Sequence, residues 1–330
     1  MPSIQIFDPA RIAAILEKAA HNPKFAFGEP SNEQRRLDYL QTLASDPRNG
    51  ERDLLVVDAS ILVELERLAI DAPNFFEVIG IVIRAATLSF LAGSPLSLPP
   101  LLLVGPPGVG NSFFARRLAE ALGVPLVVHP MNLADDPGVL VGHSLSWRGA
   151  RAGLLARTLI ENSSASPIVF VDEIDKSLWK DHGDPLDCFH SLLEPENAEN
   201  FVDAYISEVP IRAHRTFWVA TANDISSALK PSLIDRFLML RVEQPNQEGR
   251  AILLQKLYQK ALEETRAPLS STLDRATIDR LGDASPRRAR LTLELAIAIA
   301  VSAQRDCLTP DDIGEGMRLA EPPVTRRIGF

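Results

Sequence analysis

The spacing of apolar residues divides the chain into a central part that contains strands and two flanking parts that are helical. Short continuous apolar runs predict strands buried on both faces, at Leu101–Val104, Val124–His129, Ile168–Val171 and Phe217–Thr221. Apolar residues at helical spacing predict helices at Ala10–Ala20, Ser31–Ala44, Asp58–Ile70, Phe113–Leu122, Gln247–Glu264, Asp274–Leu281, Arg287–Gln304 and Pro310–Leu319. Strands that alternate with helices predict an α/β fold with a parallel sheet flanked by helices.

The same pattern predicts four parts along the chain. They are a helical N-terminal region at 1–70, an α/β domain at 71–244, a helical domain at 245–320 and a C-terminal tail at 321–330. Pro245 marks the break before the second helical part. The N-terminal region carries no chemical motif, and we expect it to serve in packing or docking.

A glycine-rich segment follows the first predicted strand and precedes a helix. Strand, glycine-rich loop and helix in this order are the required context of a phosphate-binding loop. The glycines let backbone N–H groups point at a phosphate, and the helix adds its positive N-terminal end. The candidate nucleotide contacts are Gly105, Pro106, Pro107, Gly108, Val109, Gly110, Asn111, Ser112 and Phe113.

Asn111 departs from the phosphate-loop pattern, which has Lys at this position. Asn keeps hydrogen-bonding capacity but loses the cation that compensates phosphate charge. Arg116 and Arg117 lie about a turn further along the helix and are poor substitutes. We therefore expect the loop to hold nucleotide more weakly than a loop with Lys.

Two carboxylates follow the third predicted strand, in the sequence VDEIDK that ends at Lys176. Ligands bind at the carboxyl ends of strands in open parallel sheets. We expect Asp172, together with the Ser112 hydroxyl, to hold Mg²⁺, and Glu173 to polarise an attacking water. A phosphate loop followed by such a strand predicts ATP and Mg²⁺ as the bound groups.

Polar residues also follow the fourth strand, and arginines come after them. Asn223 ends the sequence ATAN and is a candidate to hydrogen-bond the attacking water or the γ-phosphate. Arg236 lies on a short helix within PSLIDRF. Arg287, Arg288 and Arg290 crowd the start of a later helix, which indicates either a bound anion or a solvated basic face.

Composition limits the classes of partner. Hydrophobic residues make up 46% of the chain. The net charge is −9, and because nucleic-acid-binding proteins are usually basic, we expect no nucleic-acid partner. The N-terminus lacks a basic start followed by an apolar core. We expect no apolar run to be long enough to span a bilayer, and therefore no membrane contact. Two cysteines without metal spacing are typical of a cytoplasmic protein with reduced thiols.

With these motifs in order, residues 72–305 resemble the AAA+ ATPases, and among them the ATPase module of Lon protease. GPPGVGNS resembles the Walker A loop except at Asn111, and VDEIDK resembles Walker B. The segment Gly183–Ile206 resembles the one that follows Walker B in Lon. GHSLSWRG resembles the Lon pore loop.

This resemblance implies roles for the remaining polar and aromatic residues. Asn223 would be sensor 1, Arg236 the arginine finger and Arg287 the sensor 2 arginine, with the last predicted helices forming a lid. Trp147, with Arg148 beside it, would grip a polypeptide. The alternative for Trp147 is a surface-loop residue that folds back onto its domain.

The resemblance implies a Lon-like ATPase module in a ring of identical subunits, a hexamer, that remodels or translocates a protein partner. The alternative is a degenerate nucleotide-binding subunit with little hydrolysis that acts as an assembly switch or scaffold, and Asn111 favours it. A DNA-associated clamp-loader or helicase-loader role fits less well, because the chain lacks a basic extension. No serine–lysine dyad can be assigned, so we expect no protease activity.

Overall fold

The computed structural model of the chain describes residues 2–21, 31–133, 136–177, 184–225, 229–282 and 284–320. The predicted tail at 321–330 and Gly183 of the Lon-like segment lie outside the described residues. The chain forms two compact units. The first unit comprises 1–69, 77–105 and 111–242, and the second comprises 70–76, 106–110 and 243–330.

Nine strands are present among the described residues. They are β1 (Ser3–Gln5), β2 (Glu51–Asp53), β3 (Leu101–Val104), β4 (Leu126–Pro130), β5 (Ile168–Asp172), β6 (Phe201–Val202), β7 (Pro210–Ile211), β8 (Phe217–Ala222) and β9 (Leu238–Arg241). The helices before β5 are α1 (Pro9–Ala20), α2 (Asn32–Ala44), α3 (Ala59–Asp71), α4 (Phe76–Ala92), α5 (Asn111–Leu122), α6 (Gly138–Val141) and α7 (Leu154–Glu161). Those after β5 are α8 (Phe189–Leu192), α9 (Pro195–Ala198), α10 (Pro231–Ile234), α11 (Gln247–Thr265), α12 (Arg275–Leu281), α13 (Pro286–Ser302) and α14 (Pro310–Ala320).

The central sheet of the first unit has five strands in the order β4-β5-β8-β3-β9. Every neighbouring pair in it is parallel, with Leu101 beside Val219 and Val171 beside Ala220. β5 and β8 lie inside the sheet, and burial on both faces explains their continuous apolar sequences. The predicted parallel α/β fold is confirmed.

The fifth strand, β9, is absent from the sequence-based prediction. It forms one edge of the sheet and pairs with β3. Three of its four residues are exposed, and its short apolar run follows directly on PSLIDRF, the segment that was predicted to carry a short helix. Just before the segment that resembles the Lon pore loop, Gly138–Val141 form α6.

The N-terminal region shares its core with the sheet. Ile6, Phe7, Ile12 and Leu40 are buried in one cluster with residues of β3, β5 and β8. β1 and β2 pair antiparallel, so this region is not wholly helical as the sequence suggested. The predicted boundary at residue 70 stays a prediction, as do the boundaries at 244 and 320.

The second unit has a separate helical core. Leu254, Tyr258, Leu293 and Ile313 of α11, α13 and α14 are buried in it. The Tyr258 hydroxyl donates 2.7 Å to the Ser270 carbonyl oxygen, which satisfies its polar end within this core. These contacts hold the C-terminal helices together as one body.

One helical segment, Pro73–Ala92, is 20 residues long with a mean hydropathy of 1.9. By length and composition alone it would suffice to cross a bilayer, so the expectation that no apolar run is long enough is wrong. Glu77 and Arg84 are the two charged residues that interrupt the run. Core helices of folded proteins satisfy the same criterion of length and hydropathy, and 33% of this segment is buried within the chain. The segment is therefore no evidence of membrane contact.

The buried His129 of β4 makes stability depend on pH. Its side chain is 3% exposed, and burial lowers its pKa from 6.5 to about 4. Between these values the unfolded chain binds more protons than the folded chain, so stability falls as pH falls from 6.5 towards 4. At pH 5 we expect a loss of about 2 kcal/mol from this group.

Urea unfolding of the parent and His129→Phe at pH 7 and pH 5 measures this loss. The variant should lose less stability between the two pH values by about that amount. Phe170→Leu, which changes a buried side chain that carries no titratable group, should keep the parent's dependence. An equal pH dependence in parent and His129→Phe would contradict the assignment.

Candidate nucleotide-binding site

The phosphate-loop glycines adopt a conformation that favours glycine. Gly108 and Gly110 have φ angles of 82° and 103°, which L side chains rarely adopt. Their N–H groups donate to no described carbonyl or side chain. Asn74 fixes the loop from its other side, since its amide donates 3.1 Å to the Val109 carbonyl oxygen. Fixed glycines with free N–H groups are what a phosphate-binding loop requires.

The first turn of α13 lies beside this loop within the second unit. A Cβ added to Gly108 would lie 3.3 Å from the Ser285 Cβ. Ser285 caps α13 by accepting from the Arg288 N–H. The helix therefore presents its positive N-terminal end on the loop side.

The arginines of this turn differ in their partners. Arg290 pairs with Glu264 and Glu294, each at 2.8 Å. Arg287 is exposed and forms no ion pair with any described residue. Among the described residues, no carboxylate therefore compensates its charge.

Asn111 and Ser112 open α5 in the first unit. The Asn111 Oδ1 atom is buried and accepts no hydrogen bond from the described residues. Ser112 is exposed, and its hydroxyl makes no hydrogen bond to them. No partner within the described chain therefore holds the side chain at position 111. A buried acceptor left unsatisfied in this way costs free energy.

A threonine contacts both candidate acid residues, through the carboxylate of Asp172 and the backbone N–H of Glu173. The Thr221 hydroxyl of β8 donates 2.9 Å to Asp172 Oδ1 and accepts 2.9 Å from the Glu173 N–H. β5 and β8 are adjacent parallel strands, so their carboxyl ends meet at one edge of the sheet. This bridge fixes Asp172 and Glu173 relative to each other.

Glu173 is also held from the other side. Its backbone is left-handed, with φ 54° and ψ 52°, a conformation that costs an L-residue about 1–2 kcal/mol. Asn132, just beyond β4, donates 3.1 Å to Glu173 Oε2. Unfavourable backbone held by surrounding bonds is frequent at functional sites.

The loop after β8 is held by a buried aspartate. Asp175 Oδ2 accepts from the N–H groups of Asn223 at 3.1 Å and Asp224 at 3.2 Å. The Asn223 side chain itself makes no hydrogen bond to the described residues. Asn223 is thus at the end of β8, beside the strand that carries the carboxylates, with its amide free.

Arg236 is paired within its own chain. Its Nε lies 2.9 Å from Glu194 Oε1, and it also donates to the Ser232 carbonyl oxygen. It follows α10, and its side chain is 28% exposed. Its predicted role as an arginine finger for a neighbouring subunit stays a prediction.

Trp147 lies on an ordered turn. Its N–H donates 2.9 Å to the Ser144 carbonyl oxygen, and its own carbonyl accepts from Ala150 at 3.2 Å. The indole is 40% exposed and lies 5.9 Å from the His143 ring. Arg148 is exposed beside it. The residue is not in the core, and its contact with substrate stays a prediction.

The residues present suit ATP and Mg²⁺. The free N–H groups of Gly108 and Gly110 suit phosphate oxygens. Mg²⁺ prefers hydroxyl and carboxylate oxygens, and the Ser112 hydroxyl and Asp172 Oδ2 have no partner among the described residues. Among these candidate site residues, Asn111 is the one that lacks the positive charge expected at its position, where the phosphate-loop pattern has Lys.

Sequence reasoning missed three residues of this arrangement, namely Asn132, Thr221 and Asp175. Asn132 and Thr221 lie at or just beyond the ends of parallel strands, which is the signal that identified Asp172 and Asn223. Asp175 lies within VDEIDK but was given no role. Its buried position requires the fold, because the amides it accepts from follow a different strand.

Residues 101–243 match the family model "ATPase family associated with various cellular activities (AAA)". Among solved structures, a point mutant of Thermotoga maritima RuvB is similar, with a TM-score of 0.48 and 17% identity over 74% of this chain and 69% of that chain.

Several curated relatives are Lon proteases. The mitochondrial Lon protease homolog of Rattus norvegicus is 30% identical over 244 residues, covering 72% of this chain and 25% of the relative. Lon proteases of Clostridium beijerinckii and Bacillus thuringiensis are 32% and 34% identical over 43% and 48% of this chain, and 18% and 20% of the relatives. The chain thus spans about a quarter or less of these relatives.

Thr221→Val tests the bridge from the Asp172 carboxylate to the Glu173 N–H. It removes the hydroxyl while keeping the side-chain shape, which leaves the Glu173 N–H without its acceptor. An unsatisfied group of this kind costs about 1–3 kcal/mol. Urea unfolding should show a loss of this size.

Thr216→Val is the matched control, because the buried Thr216 hydroxyl has no partner in the described structure. Its removal should cost little or even stabilise the fold. Equal losses for the two variants would show that the Thr221 hydroxyl does not hold the site.

Proposed function

Because the chain contains an AAA ATPase domain similar to the ATPase region of Lon protease, we propose that it hydrolyses ATP to remodel or translocate a protein partner. The family match suggests an ATP hydrolase. The ring assembly, the remodelling and the roles of single residues are parts of this proposal. Protease activity is not, since the matches cover only a small part of the Lon relatives.

The observation that carries the proposal is that Asp172 and Glu173 are both held in place by hydrogen bonds, the first through its carboxylate and the second through its backbone N–H and its carboxylate. Asp172 and Glu173 share the Thr221 hydroxyl, and Asn132 holds the Glu173 carboxylate. A chain that only binds nucleotide needs no oriented second carboxylate. One that hydrolyses it does, because the attacking water must be positioned and its proton accepted.

The proposed roles follow from chemistry that each side chain can perform. Mg²⁺, when bound, would stabilise charge on the phosphate oxygens, and the Ser112 hydroxyl and Asp172 carboxylate are its proposed ligands. Glu173 Oε2 would accept the proton of the attacking water. The Asn223 amide, free of partners in the described chain, would orient that water or contact the γ-phosphate.

Asn111 weakens the site without removing its other parts. A charged hydrogen bond in a partly buried site contributes about 1.5–3 kcal/mol, which corresponds to roughly a ten- to hundredfold change in affinity or rate. Arg287 and the N-terminal end of α13 lie on the phosphate-loop side of the second unit. We propose that they contribute positive charge to the glycine-rich part of the loop in that unit.

The second candidate function is an assembly switch that binds ATP with little hydrolysis. Asn111 favours it, because its Oδ1 has no partner within the described chain and its amide carries no charge. The oriented Glu173 opposes it. Measured turnover distinguishes the two candidates.

The proposed assembly is a ring of identical subunits, a hexamer, in the cytoplasm. An arginine finger completes the site of a neighbouring subunit, and Arg236 is the proposed finger. In the single chain Glu194 holds its guanidinium. In the ring, a phosphate of the neighbour's nucleotide would replace Glu194 as its partner.

The proposed contact with the protein partner is the exposed Trp147 with the neighbouring Arg148. A half-exposed indole on a turn closed by backbone hydrogen bonds offers a flat apolar surface. Such a surface presses on an extended polypeptide without reading its sequence. No nucleic-acid or membrane partner is part of this proposal.

Asn111→Lys should raise ATP affinity or turnover by roughly ten- to a hundredfold, since it restores a charged phosphate contact. Fluorescent-nucleotide titration and steady-state phosphate release measure the two quantities. Asn162→Lys serves as the control, because it adds the same charge at the end of α7, outside the phosphate loop. An unchanged affinity and turnover in Asn111→Lys would contradict the active-site assignment.

Mixing two inactive variants tests the ring. Glu173→Gln lacks the proposed base and Arg236→Ala lacks the finger, so each alone should turn over ATP slowly. If Arg236 acts on a neighbour, an equimolar mixture contains interfaces with both groups intact and recovers part of the parent activity. A mixture no more active than its components would contradict a finger acting between subunits.

A further inference from the structure

The N-terminal helix α2 contacts the turn that carries Trp147. The carboxamide nitrogen of Asn32, in the first turn of α2, donates 2.8 Å to the Leu145 carbonyl oxygen and 2.6 Å to the Trp147 carbonyl oxygen. A carboxamide has two N–H protons, and each is used on one carbonyl. Both contacts join residues that are more than a hundred positions apart in the chain.

These carbonyls belong to the backbone of the turn, not to the exposed ring. Trp147 N–H closes the turn on Ser144, and the His143 N–H donates 3.1 Å to the Arg151 carbonyl oxygen at its base. Asn32 adds two bonds from outside the turn. The backbone is therefore fixed while the indole stays 40% exposed.

The same helix is anchored at a second loop. Arg36 is 4% exposed, and its Nε donates 3.0 Å to the Ile206 carbonyl oxygen. It also pairs with Glu33 at 3.0 Å and with Glu208 at 3.4 Å. A buried guanidinium with these partners is costly to displace, so α2 is held firmly against the turn at 203–208.

The turn at 203–208 also forms hydrogen bonds to the segment that carries Trp147. The fully buried Asp203 accepts 2.7 Å from the Gly153 N–H through Oδ2, and the Ala204 N–H donates 2.9 Å to the Val141 carbonyl oxygen. α2, the turn at 203–208 and the segment 141–153 therefore form a closed set of contacts. Displacing one member strains bonds to both others.

We propose that α2 is a brace for the Trp147 turn and that Asn32 is its positioning residue. This inference rests on the proposed function of Trp147 as the contact with a polypeptide. When a motor pulls on a polypeptide, the side chain that grips the polypeptide is pulled as well. A turn held only by hydrogen bonds within itself would be displaced by this force. The N-terminal region then has a mechanical role within the same subunit.

Asn32→Asp tests the brace. The change keeps the size of the side chain, removes both donors and sets a carboxylate against two carbonyl oxygens. Acrylamide quenching reports the accessibility of Trp147, taken as the difference between each protein and its Trp147→Phe derivative. We expect quenching of Trp147 to rise in Asn32→Asp and in the uncharged variant Asn32→Ala.

Gln41→Glu is the matched control, since it makes the same amide-to-acid change at an exposed position of α2. Its quenching should equal that of the parent. Melting curves of all variants set a common temperature at which each is folded. Unchanged Trp147 quenching in folded Asn32→Asp and Asn32→Ala would overturn the brace.

Binding of a fluorescein-labelled, carboxymethylated unfolded polypeptide measures the consequence for partner contact. In Asn32→Asp we expect about a tenfold weaker affinity, the equivalent of ~1.4 kcal/mol, and no change in Gln41→Glu. Parental affinity in Asn32→Asp, with Trp147→Ala defective, would overturn the positioning role. Parental affinity in Trp147→Ala would instead overturn the proposed function of Trp147, while the quenching result would still decide whether α2 braces the turn.

Discussion

The arrangement of the candidate site depends on one hydroxyl between two parallel strands. Thr221 of β8 donates to the Asp172 carboxylate and accepts from the Glu173 N–H. This is possible because β5 and β8 are adjacent and in register, with Val171 beside Ala220. The bridge holds Glu173 in a left-handed backbone conformation, where Asn132 reaches its carboxylate. Sheet topology therefore sets the geometry of the acid groups directly.

The phosphate side of the site has a different basis. Its glycines, Asn74 and the capped start of α13 lie together in the second unit. Free backbone N–H groups, a helix N-terminus and Arg287, which has no ion-pair partner in the described chain, all favour an anion. Asn111 removes one charge from this set but leaves the other contributions in place. The chain thus combines an intact arrangement of carboxylates with a phosphate loop that is electrostatically weakened.

The inner part of the fold follows from local sequence, because strands buried on both faces need continuous apolar residues. β3 was predicted with its observed bounds, and β5 and β8 were predicted within a residue at each end. The edge strand β9 was missed because its short apolar run follows directly on a segment that was predicted to be a short helix. Asn132 and Thr221 were missed for another reason. Their roles depend on which strands are neighbours in the sheet, and the sequence of a single segment does not determine the order of the strands. Asn32 is a further case, because its partners lie in a distant turn of the chain.

Hydrolysis at this site is decided by ATP turnover of the unmodified chain, with Glu173→Gln, matched in nucleotide affinity, as the blank. We expect Mg²⁺-dependent phosphate release by the parent that is slow, since Asn111 supplies no charge, but clearly above the blank. Equal phosphate release from both proteins, with nucleotide bound, would contradict hydrolysis at this site and leave the assembly switch as its function.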